Sequence, residues 1–483
     1  MSTTIRAGLR RPLAMAVCLA LLAPGAALAQ TAKERELEAR VAQLEKMVEQ
    51  LVSQQQQAQT QLADTQAQVT EVKAAQATPA TAALPPGPDG KPQQPIQQTS
   101  IMTAANPGTK FSYGGFIKLD AMATDTSDGV IADGSAGRLF YLPSQIPVVA
   151  DGAEPDTDPY TDVSAQLSRF WFSADHVTDN GDKLKAYIEA DFFGGGSNAL
   201  AGNEIATNTY AVTLRQAYVS WNDWLAGQTW SNFQDVAALP DAVDFVGVTE
   251  GTTFVRQAQV RYTKGGFSVS AENPQTTVNT IATGARINGT GSNAMPDLTA
   301  RYVLKGDWGH FSAAGLVRQF KLDDETTSGA AVSLSGKFNL GANDDIRYMA
   351  NYGKGLGRYM AFGLGPDTAL DADGELHAVE AAGGFVAWRH VFNPQLRGNL
   401  MYSVAAYDND KGLSGWNSVY DPITGTYLSE SATERASSIH ANLIYSPLPK
   451  LDVGVELGYG KRELEDGREG DLKRVHTSVK YSF

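Results

Sequence analysis

Residues 183–193 read KLKAYIEADFF, and their apolar and polar side chains alternate with a period of two. Leu184 and Ile188 fall on one face of an extended chain, whereas Lys185 and Glu189 fall on the other. Successive side chains of a β-strand point to opposite faces, so this pattern is typical of a strand whose two faces meet different environments. The segment therefore predicts a half-buried β-strand.

The same alternation recurs along the rest of the chain after residue 110. Sixteen segments show it, although the apolar face is ambiguous in the fourth, ninth and twelfth. They lie near 111–123, 164–177, 183–193, 210–222, 224–230, 254–263, 267–273, 296–304, 308–320, 329–340, 344–354, 377–391, 396–408, 434–446, 451–462 and 471–483. The sequence thus predicts an all-β fold over residues 110–483.

The connections between these segments alternate in length. Tight turns such as 264–266 are followed by long loops such as 124–163, with shorter members at 321–328 and 463–470. Short turns at one end and long loops at the other are typical of outer-membrane barrels, whose closed sheet leaves no backbone group unpaired in lipid. We expect a 16-stranded antiparallel transmembrane β-barrel preceded by an N-terminal α-helical coiled coil.

The first 29 residues predict a secretory signal peptide. Arg6, Arg10 and Arg11 precede an apolar run, and residues 27–29 (ALA) offer a small-x-small cleavage site. The run is too short and too interrupted for a membrane-spanning helix. The single cysteine of the chain, Cys18, lies inside this segment, so the mature chain is expected to contain no disulfide.

Residues 30–76 are predicted to form a periplasmic coiled coil. Apolar residues step by four and three from Leu37 through Val41, Leu44 and Val48, which is a heptad pattern. Valine and leucine in these positions favour two strands, and a solvated helix that pairs with nothing is the alternative. Residues 77–109 are rich in proline and predict an extended linker.

Charge and motifs exclude several function classes. The chain has 39 Lys and Arg against 53 Asp and Glu, a net charge of −14. This balance argues against nucleic-acid binding, which needs a basic surface to release counterions. The histidines lack metal-ligand spacing and no nucleophile or phosphate-loop motif appears, so we expect no enzyme, no cofactor and no metal site. The acidic loop 124–163 has oxygen ligands suited to Ca²⁺, but we interpret it as a solvated surface.

If the apolar faces meet lipid, the polar faces line an interior that sixteen strands can hold open. The predicted pore-lining and substrate-binding residues are Lys118, Arg169, Lys185, Arg215, Arg261, Arg301, Arg318 and Arg347. Basic rings favour anions, and a guanidinium is a rigid fork for carboxylate or phosphate. This pattern predicts passive diffusion of small anions. The alternative is that acidic residues on the same wall neutralise these bases.

The loop 231–253 is a candidate constriction loop. It carries four acidic residues, which are Asp235, Asp241, Asp244 and Glu250. Folded inward, with its acids facing a basic wall, it would narrow the pore and create a transverse field. An external position is the alternative that the sequence leaves open.

Four segments resemble the DcaP-like trimeric outer-membrane porin family. They are GGFIKLD at 114–120, SRFWF at 168–172, KAYIEADFF at 185–193 and LAGQTWSNF at 225–233. The resemblance implies a trimer of sixteen-stranded barrels, a periplasmic coiled-coil extension and uptake of anionic compounds such as dicarboxylates. The basic lumen of the family would map here onto Lys118, Arg169, Lys185 and Arg215.

One residue departs from the family pattern. Trp171 occupies a strand position that the family tends to keep small, so the channel is either narrower there or the side chain sits elsewhere. Phosphate-selective porins with an arginine-lined channel are the nearest alternative family.

The chain ends VKYSF at 479–483, which resembles the C-terminal signal that the barrel-assembly machinery reads. We therefore expect a porin of the Gram-negative outer membrane with an N-terminal periplasmic extension. Its expected partners are outer-membrane lipid, small anionic solutes, two further copies in a homotrimer and the assembly machinery. The competing hypothesis is a barrel-anchored structural tether whose coiled coil contacts the cell wall or a partner.

Overall fold

A computed structural model describes most of the chain after residue 107. The described residues are 108–149, 157–194, 210–280, 286–288, 293–371, 374–408, 419–421, 426–428 and 432–483. The predicted signal peptide, the coiled coil and nearly all of the proline-rich linker lie outside these residues and stay predictions.

The described chain is dominated by sixteen β-strands, numbered here in chain order. Their bounds are β1 Thr109–Thr126, β2 Tyr160–Ser164 with Arg169–Val177, β3 Lys183–Gly194, β4 Ala211–Trp221, β5 Trp224–Trp230, β6 Arg256–Lys264, β7 Phe267–Glu272, β8 Asp297–Gly306, β9 Gly309–Leu322, β10 Glu325–Leu340, β11 Asp344–Lys354, β12 Glu380–Asn393, β13 Leu396–Asp408, β14 Thr433–Leu448, β15 Leu451–Leu464 and β16 Glu469–Ser482. Strand β2 is written as two pieces because residues 165–168 interrupt it.

These strands form one closed antiparallel sheet. Each strand pairs with the next one along the chain, and β1 pairs with β16 from Phe116–Ser482 to Thr126–Leu472. Both pieces of β2 pair with β1. The closure confirms the predicted 16-stranded antiparallel barrel, which has no free sheet edge.

Most apolar side chains of the strands face the outside of the barrel and most polar ones face the inside, as the alternation predicts. In β16, Val475 and Val479 are exposed on the outside, whereas Arg474, His476 and Ser478 are buried inside the barrel. Apolar side chains on the outer wall can be stable only in contact with an apolar medium, and a barrel in lipid provides one.

The long connections share one end of the barrel. Four of them are named here: L1 (127–159), L3 (231–255), L4 (273–296) and L6 (355–379). The predicted loop 321–328 is wrong in length, because β9 and β10 continue to a two-residue turn at Asp323 and Asp324. The predicted loop 463–470 shortens in the same way, since β15 and β16 pair as far as Glu463 and Glu469.

The long loops contain short strands and single 3₁₀ turns. Short strands at Thr277–Thr280, Arg286–Asn288, Thr368–Leu370 and Leu376–Ala378 form a four-stranded sheet from L4 and L6, and Val419–Asp421 pairs with Thr426–Leu428. Single 3₁₀ turns occur at Ala136–Arg138, Pro143–Gln145 and Val236–Ala238. Within the part of the chain that the structure describes, no helix is both long and apolar enough to cross a membrane.

Candidate functional site

Loop L3 lies inside the barrel. Most of its side chains are buried, and it bonds to inward-facing residues of β1, β8–β11 and β13–β16. A loop that starts at β5 and is fastened to the opposite wall must cross the lumen. Its position is therefore the inward one of the two alternatives that the sequence leaves open.

Asp235 fastens the start of L3 to three neighbouring strands. Its carboxylate lies 3.2 Å from Arg301 Nη2 on β8 and 2.7 Å from His310 Nε2 on β9. Ser335 on β10 donates a further hydrogen bond of 3.1 Å to it. The carboxylate is almost completely buried, so these three partners replace its water.

The middle of L3 is held by two arginines of the wall. Arg347 on β11 donates a hydrogen bond of 2.5 Å to the carbonyl of Leu239. Arg397 on β13 donates from Nε to Asp241 Oδ2 at 2.6 Å. Both guanidinium groups therefore act as anchors for the loop.

Asp244 and its neighbour Val243 bind the wall where the barrel closes. The carboxylate of Asp244 accepts a hydrogen bond of 2.9 Å from the backbone N–H of Tyr141 in L1 and lies 3.4 Å from His476 Nδ1. Lys118 donates from Nζ to the Val243 carbonyl at 2.8 Å. Burial disfavours the charged carboxylate, but the hydrogen bond and charge of His476 outweigh it and hold the pKa of Asp244 below its usual range.

Glu250 is the most enclosed acid of the loop. Tyr141 donates a hydrogen bond of 2.6 Å to it, and Ser438 on β14 donates one of 2.8 Å. Burial raises the pKa of Glu250, although both hydrogen bonds favour its charged form. All four predicted constriction-loop acids thus have partners on the wall or in L1, and two of them, Asp235 and Asp241, pair with wall arginines.

Four of the eight predicted basic residues are bound to L3 or to buried acids. Lys118, Arg301 and Arg347 hold L3, and Arg318 is fully buried, bonded to Asp297 at 3.1 Å and to Asp367 of L6 at 2.5 Å. Arg318 therefore does not face an open lumen, which corrects its prediction as a pore-lining residue. A guanidinium whose nitrogens are bound by two carboxylates joins β9 to L6 and acts as a structural tie.

The remaining four predicted bases lie on the wall formed by β2, β3, β4 and β6. Arg215 is the extra residue of a β-bulge between β3 and β4, and it pairs with Glu189 and Asp191 at 2.7 Å each. These two carboxylates compensate the charge of the buried guanidinium. The bulge also puts Arg215 and Gln216 side by side on the interior, which explains the ambiguous alternation of the fourth segment.

Arg169 and Arg261 are less compensated. The nearest carboxylate to Arg169 is Glu189, at 3.9 Å, and Arg169 Nε is buried without a hydrogen-bond partner among the described residues. Arg261 bonds to Gln259 and to the Trp230 carbonyl, with no carboxylate within 4.0 Å in the described part of the chain. Lys185, half exposed, lies 3.3 Å from Asp175.

Trp171 lies along the interior wall. Its indole stacks on Tyr187 with ring centroids 5.9 Å apart, and Gly114 on β1 leaves the space that the ring occupies. A Cβ at residue 114 would come within 2.7 Å of the indole. The bulky residue is therefore accommodated against the wall by a glycine on the neighbouring strand.

An aromatic cluster beside Arg169 and Arg215 was not predicted. We call it the phenylalanine cluster, and its members are Phe140 of L1, Phe193 of β3, Phe245 and Phe254 of L3 and Phe362 of L6. Neighbouring ring centroids are 4.5–5.7 Å apart, and all but Phe140 are partly exposed. Loop aromatics follow no period, so the alternation of the strands carries no signal for them.

Phe362 is presented by an unusual turn. Ala361, Phe362 and Gly363 all have positive φ, at 54°, 54° and 72°. Left-handed conformation costs a residue with a Cβ about 1–2 kcal/mol, and such strain concentrates at functional sites. The turn is closed by hydrogen bonds from Gly363 to Met360 and from Leu364 to Ala361.

The described residues include one group of side chains with metal-ligand spacing, Asp371, Glu375 and His377 in L6. The group is largely exposed, and His377 Nε2 already lies 2.7 Å from Asp371 Oδ2. Its geometry is that of a hydrogen-bonded hairpin tip. In the acidic loop L1, Asp133 and Asp158 are exposed and Asp128 is partly exposed, in line with a solvated surface.

Several solved structures of outer-membrane proteins resemble this fold. The crystal structure of the outer membrane channel DcaP of Acinetobacter baumannii matches at 27% identity and a TM-score of 0.61, covering 78% of this chain and 98% of that one. An anion-selective porin from Comamonas acidovorans matches at 11% identity, a TM-score of 0.45 and coverage of 78% and 100%. OmpT of Vibrio cholerae matches at 12% identity, a TM-score of 0.43 and coverage of 78% and 99%. The search of curated proteins finds no match.

The family comparison covers most of the chain. A family model described as DcaP outer membrane protein matches residues 102–483. This match and the DcaP structure confirm the resemblance seen in the strand motifs, and the fold and family are those of a channel. The chain belongs to the DcaP outer membrane protein family and resides in the Gram-negative outer membrane.

Proposed function

We propose that this porin passes small hydrophilic solutes by passive diffusion and prefers anions, including dicarboxylates. The support comes from the wall of β2, β3, β4 and β6, where bases outnumber acids. The bases are Arg169, Lys185, Arg215, Arg256 and Arg261, and the acids are Asp175, Glu189 and Asp191. Basic walls in a narrow, poorly hydrated pore raise the local anion concentration.

The observation that carries the proposal is that carboxylates neutralise Arg169 and Arg261 only incompletely. Both guanidinium groups are inside the barrel, and neither has a carboxylate at hydrogen-bond distance among the described residues. Most other interior bases are bound to acids or to L3, in line with the alternative that the charges largely cancel. The preference therefore depends on a small number of positions, and Phe245 of L3 lies beside one of them, Arg169.

We also infer a homotrimer whose coiled coil, residues 30–76, reaches into the periplasm after removal of residues 1–29. The heptad pattern supports the coiled coil, and membership of the family supports three copies rather than the two strands that valine and leucine in the pattern favour. Insertion through the assembly machinery, using residues 479–483, belongs to the same proposal.

The test is the reversal potential of single variants in planar bilayers. Arg169→Gln and Arg261→Gln should each lower the chloride-to-potassium permeability ratio, and the double variant should lower it further. Arg435→Gln is the matched control, since Arg435 is an exposed arginine at the outer end of β14. It removes the same charge outside the interior and should leave the ratio unchanged.

Equal ratios in all of these proteins would show that Arg169 and Arg261 do not set selectivity. Tight block by inorganic phosphate but not by dicarboxylates would favour a phosphate-selective porin. Absence of any conductance in correctly folded protein would favour the structural tether.

A further inference from the structure

The phenylalanine cluster has no role in the charge-based proposal, yet it lies beside Arg169, on which that proposal depends. Its five rings come from L1, L3, L6 and β3, so three separate outer loops converge there. Rings that only filled a core would be fully buried, but four of the five keep partial exposure inside the barrel. The interior at this level is therefore lined by apolar surface.

The cluster meets Arg169, one of the two incompletely compensated guanidinium groups described above. The Phe245 ring centroid lies 5.9 Å from Arg169 Cζ and 5.5 Å from Arg215 Cζ. Arg169 also lies over Phe116, at 5.2 Å. These distances are within the range of cation–π contact, so aromatic faces and positive charge form one continuous surface.

This combination has a physical consequence for anions. A guanidinium is more weakly hydrated than an ammonium, and aromatic rings offer no hydrogen bonds to replace an ion's water. Apolar constrictions in channels act by excluding water. An anion that passes between these groups must give up part of its hydration shell, and the cost is lowest for ions that hold water weakly.

We infer that the phenylalanine cluster and Arg169 form a dehydrating filter, which makes the channel favour weakly hydrated anions over strongly hydrated anions such as fluoride and sulfate. This inference rests on the proposed anion preference and ranks the anions, so that among dicarboxylates it favours those that hold water least tightly. The charge on Arg169 provides the attraction, and the rings set the order among anions.

The turn at Phe362 supports a dedicated function for the ring. Phe362 stacks on Phe254 with centroids 4.5 Å apart and an interplanar angle of 28°. A bulky residue with positive φ is an outlier, and glycine or asparagine would satisfy the same backbone without strain. The conformation therefore serves to place this ring against Phe254.

The test measures zero-current potentials with potassium fluoride, chloride and thiocyanate on opposite sides of a planar bilayer. The wild-type channel should show permeability in the order thiocyanate, chloride, fluoride, with several-fold steps. Phe362→Asn keeps the left-handed turn, because asparagine tolerates positive φ. This variant and Phe254→Asn should compress the order toward the mobilities of the ions in bulk water.

Arg261→Gln is the matched control, because it should reduce the anion-to-cation ratio without changing the order among anions. The heat-modifiable shift in gel electrophoresis verifies that each variant forms a barrel. An anion-selective wild-type channel with permeabilities in the ratio of bulk mobilities would overturn the filter and leave the proposed function intact. An order that survives both phenylalanine substitutions would also overturn it. A cation-selective channel would instead refute the proposed function, on which the filter depends.

Discussion

The hydroxyl of Tyr141 donates a hydrogen bond of 2.6 Å to Glu250 Oε1. Tyr141 belongs to L1 and Glu250 to L3, so this bond joins the two loops to each other. Both side chains are almost completely buried. The shape of the lumen therefore depends on contacts between loops as well as on contacts with the wall.

Tyr141→Phe should loosen L3. The substitution leaves the buried Glu250 carboxyl with Ser438 as its remaining side-chain donor, and an unsatisfied buried polar group costs about 1–3 kcal/mol. We expect a lower free energy of unfolding in urea and more frequent current fluctuations in single-channel recordings. Tyr352→Phe is the control, because Tyr352 donates a bond of the same 2.6 Å to Glu380 at an exposed site. A variant with wild-type stability and a steady current would show that this bond does not hold L1 and L3 together.

Glu250 should make the stability of the protein depend on pH. Burial raises its pKa above the ordinary value of 4.5, so the folded state favours the neutral carboxyl. Its contribution to stability is then complete below pH 4.5 and is lost as the pH rises through the folded-state pKa. Asp244 does not titrate in that window, since its pKa is lowered.

The measurement is the difference in unfolding free energy between wild type and Glu250→Gln as the pH rises. Glutamine keeps the size of the side chain and removes the titration, while both proteins retain His440 and His476. The advantage of the wild type should shrink as the pH rises above 4.5. A difference that is constant with pH would show that Glu250 titrates at the same pH in the folded and unfolded states.

Arg318→Met should be strongly destabilising. It would leave Asp297 and Asp367 buried without their shared cation, and breaking a buried pair in this way costs about 3–5 kcal/mol. Arg389→Met is the control, because Arg389 is partly exposed and its partner Asp345 retains Arg347. Its cost should be no more than about 1 kcal/mol. Equal losses in urea unfolding would mean that Arg318 is not the tie between β9 and L6.

Gly251→Ala should displace the end of L3. An added Cβ would lie 2.1 Å from the backbone nitrogen of Gly384 on β12, where no flexible side chain can move aside. Overpacking of this kind costs about 1–3 kcal/mol, and we expect a changed single-channel conductance with the strands intact. Gly315→Ala on β9 meets no atom within 4 Å and is the control. Unchanged conductance in the first variant would place L3 elsewhere.

The strands were predictable because alternation is a local property. In β3, Lys185 and Ile188 already indicate which face meets which environment. Two ambiguous strands have a physical explanation in the structure. Leu316 and Phe320 of β9 and Phe385 of β12 point inward although they are apolar, because L3, L4 and L6 pack against them inside the barrel. A sequence pattern cannot show that a loop provides a core within the lumen.

For the candidate site, the sequence predicts which side chains face the interior of the barrel but not which of them pair with one another. Alternation places Arg318 on an interior face, but its partner Asp367 is 49 residues away in a loop. Arg169 and Arg318 have the same pattern in sequence, yet Arg318 is saturated by acids and Arg169 is not. Pairing between strand and loop residues depends on how L3 and L6 fold inward, which no periodicity encodes. The phenylalanine cluster went unpredicted for the same reason.

The most direct test of the account is the reversal potential of the wild-type channel in a potassium chloride gradient across a planar bilayer. We predict a potential with the sign set by chloride, reflecting the incompletely compensated charge of Arg169 and Arg261. A potential with the sign set by potassium would contradict the account.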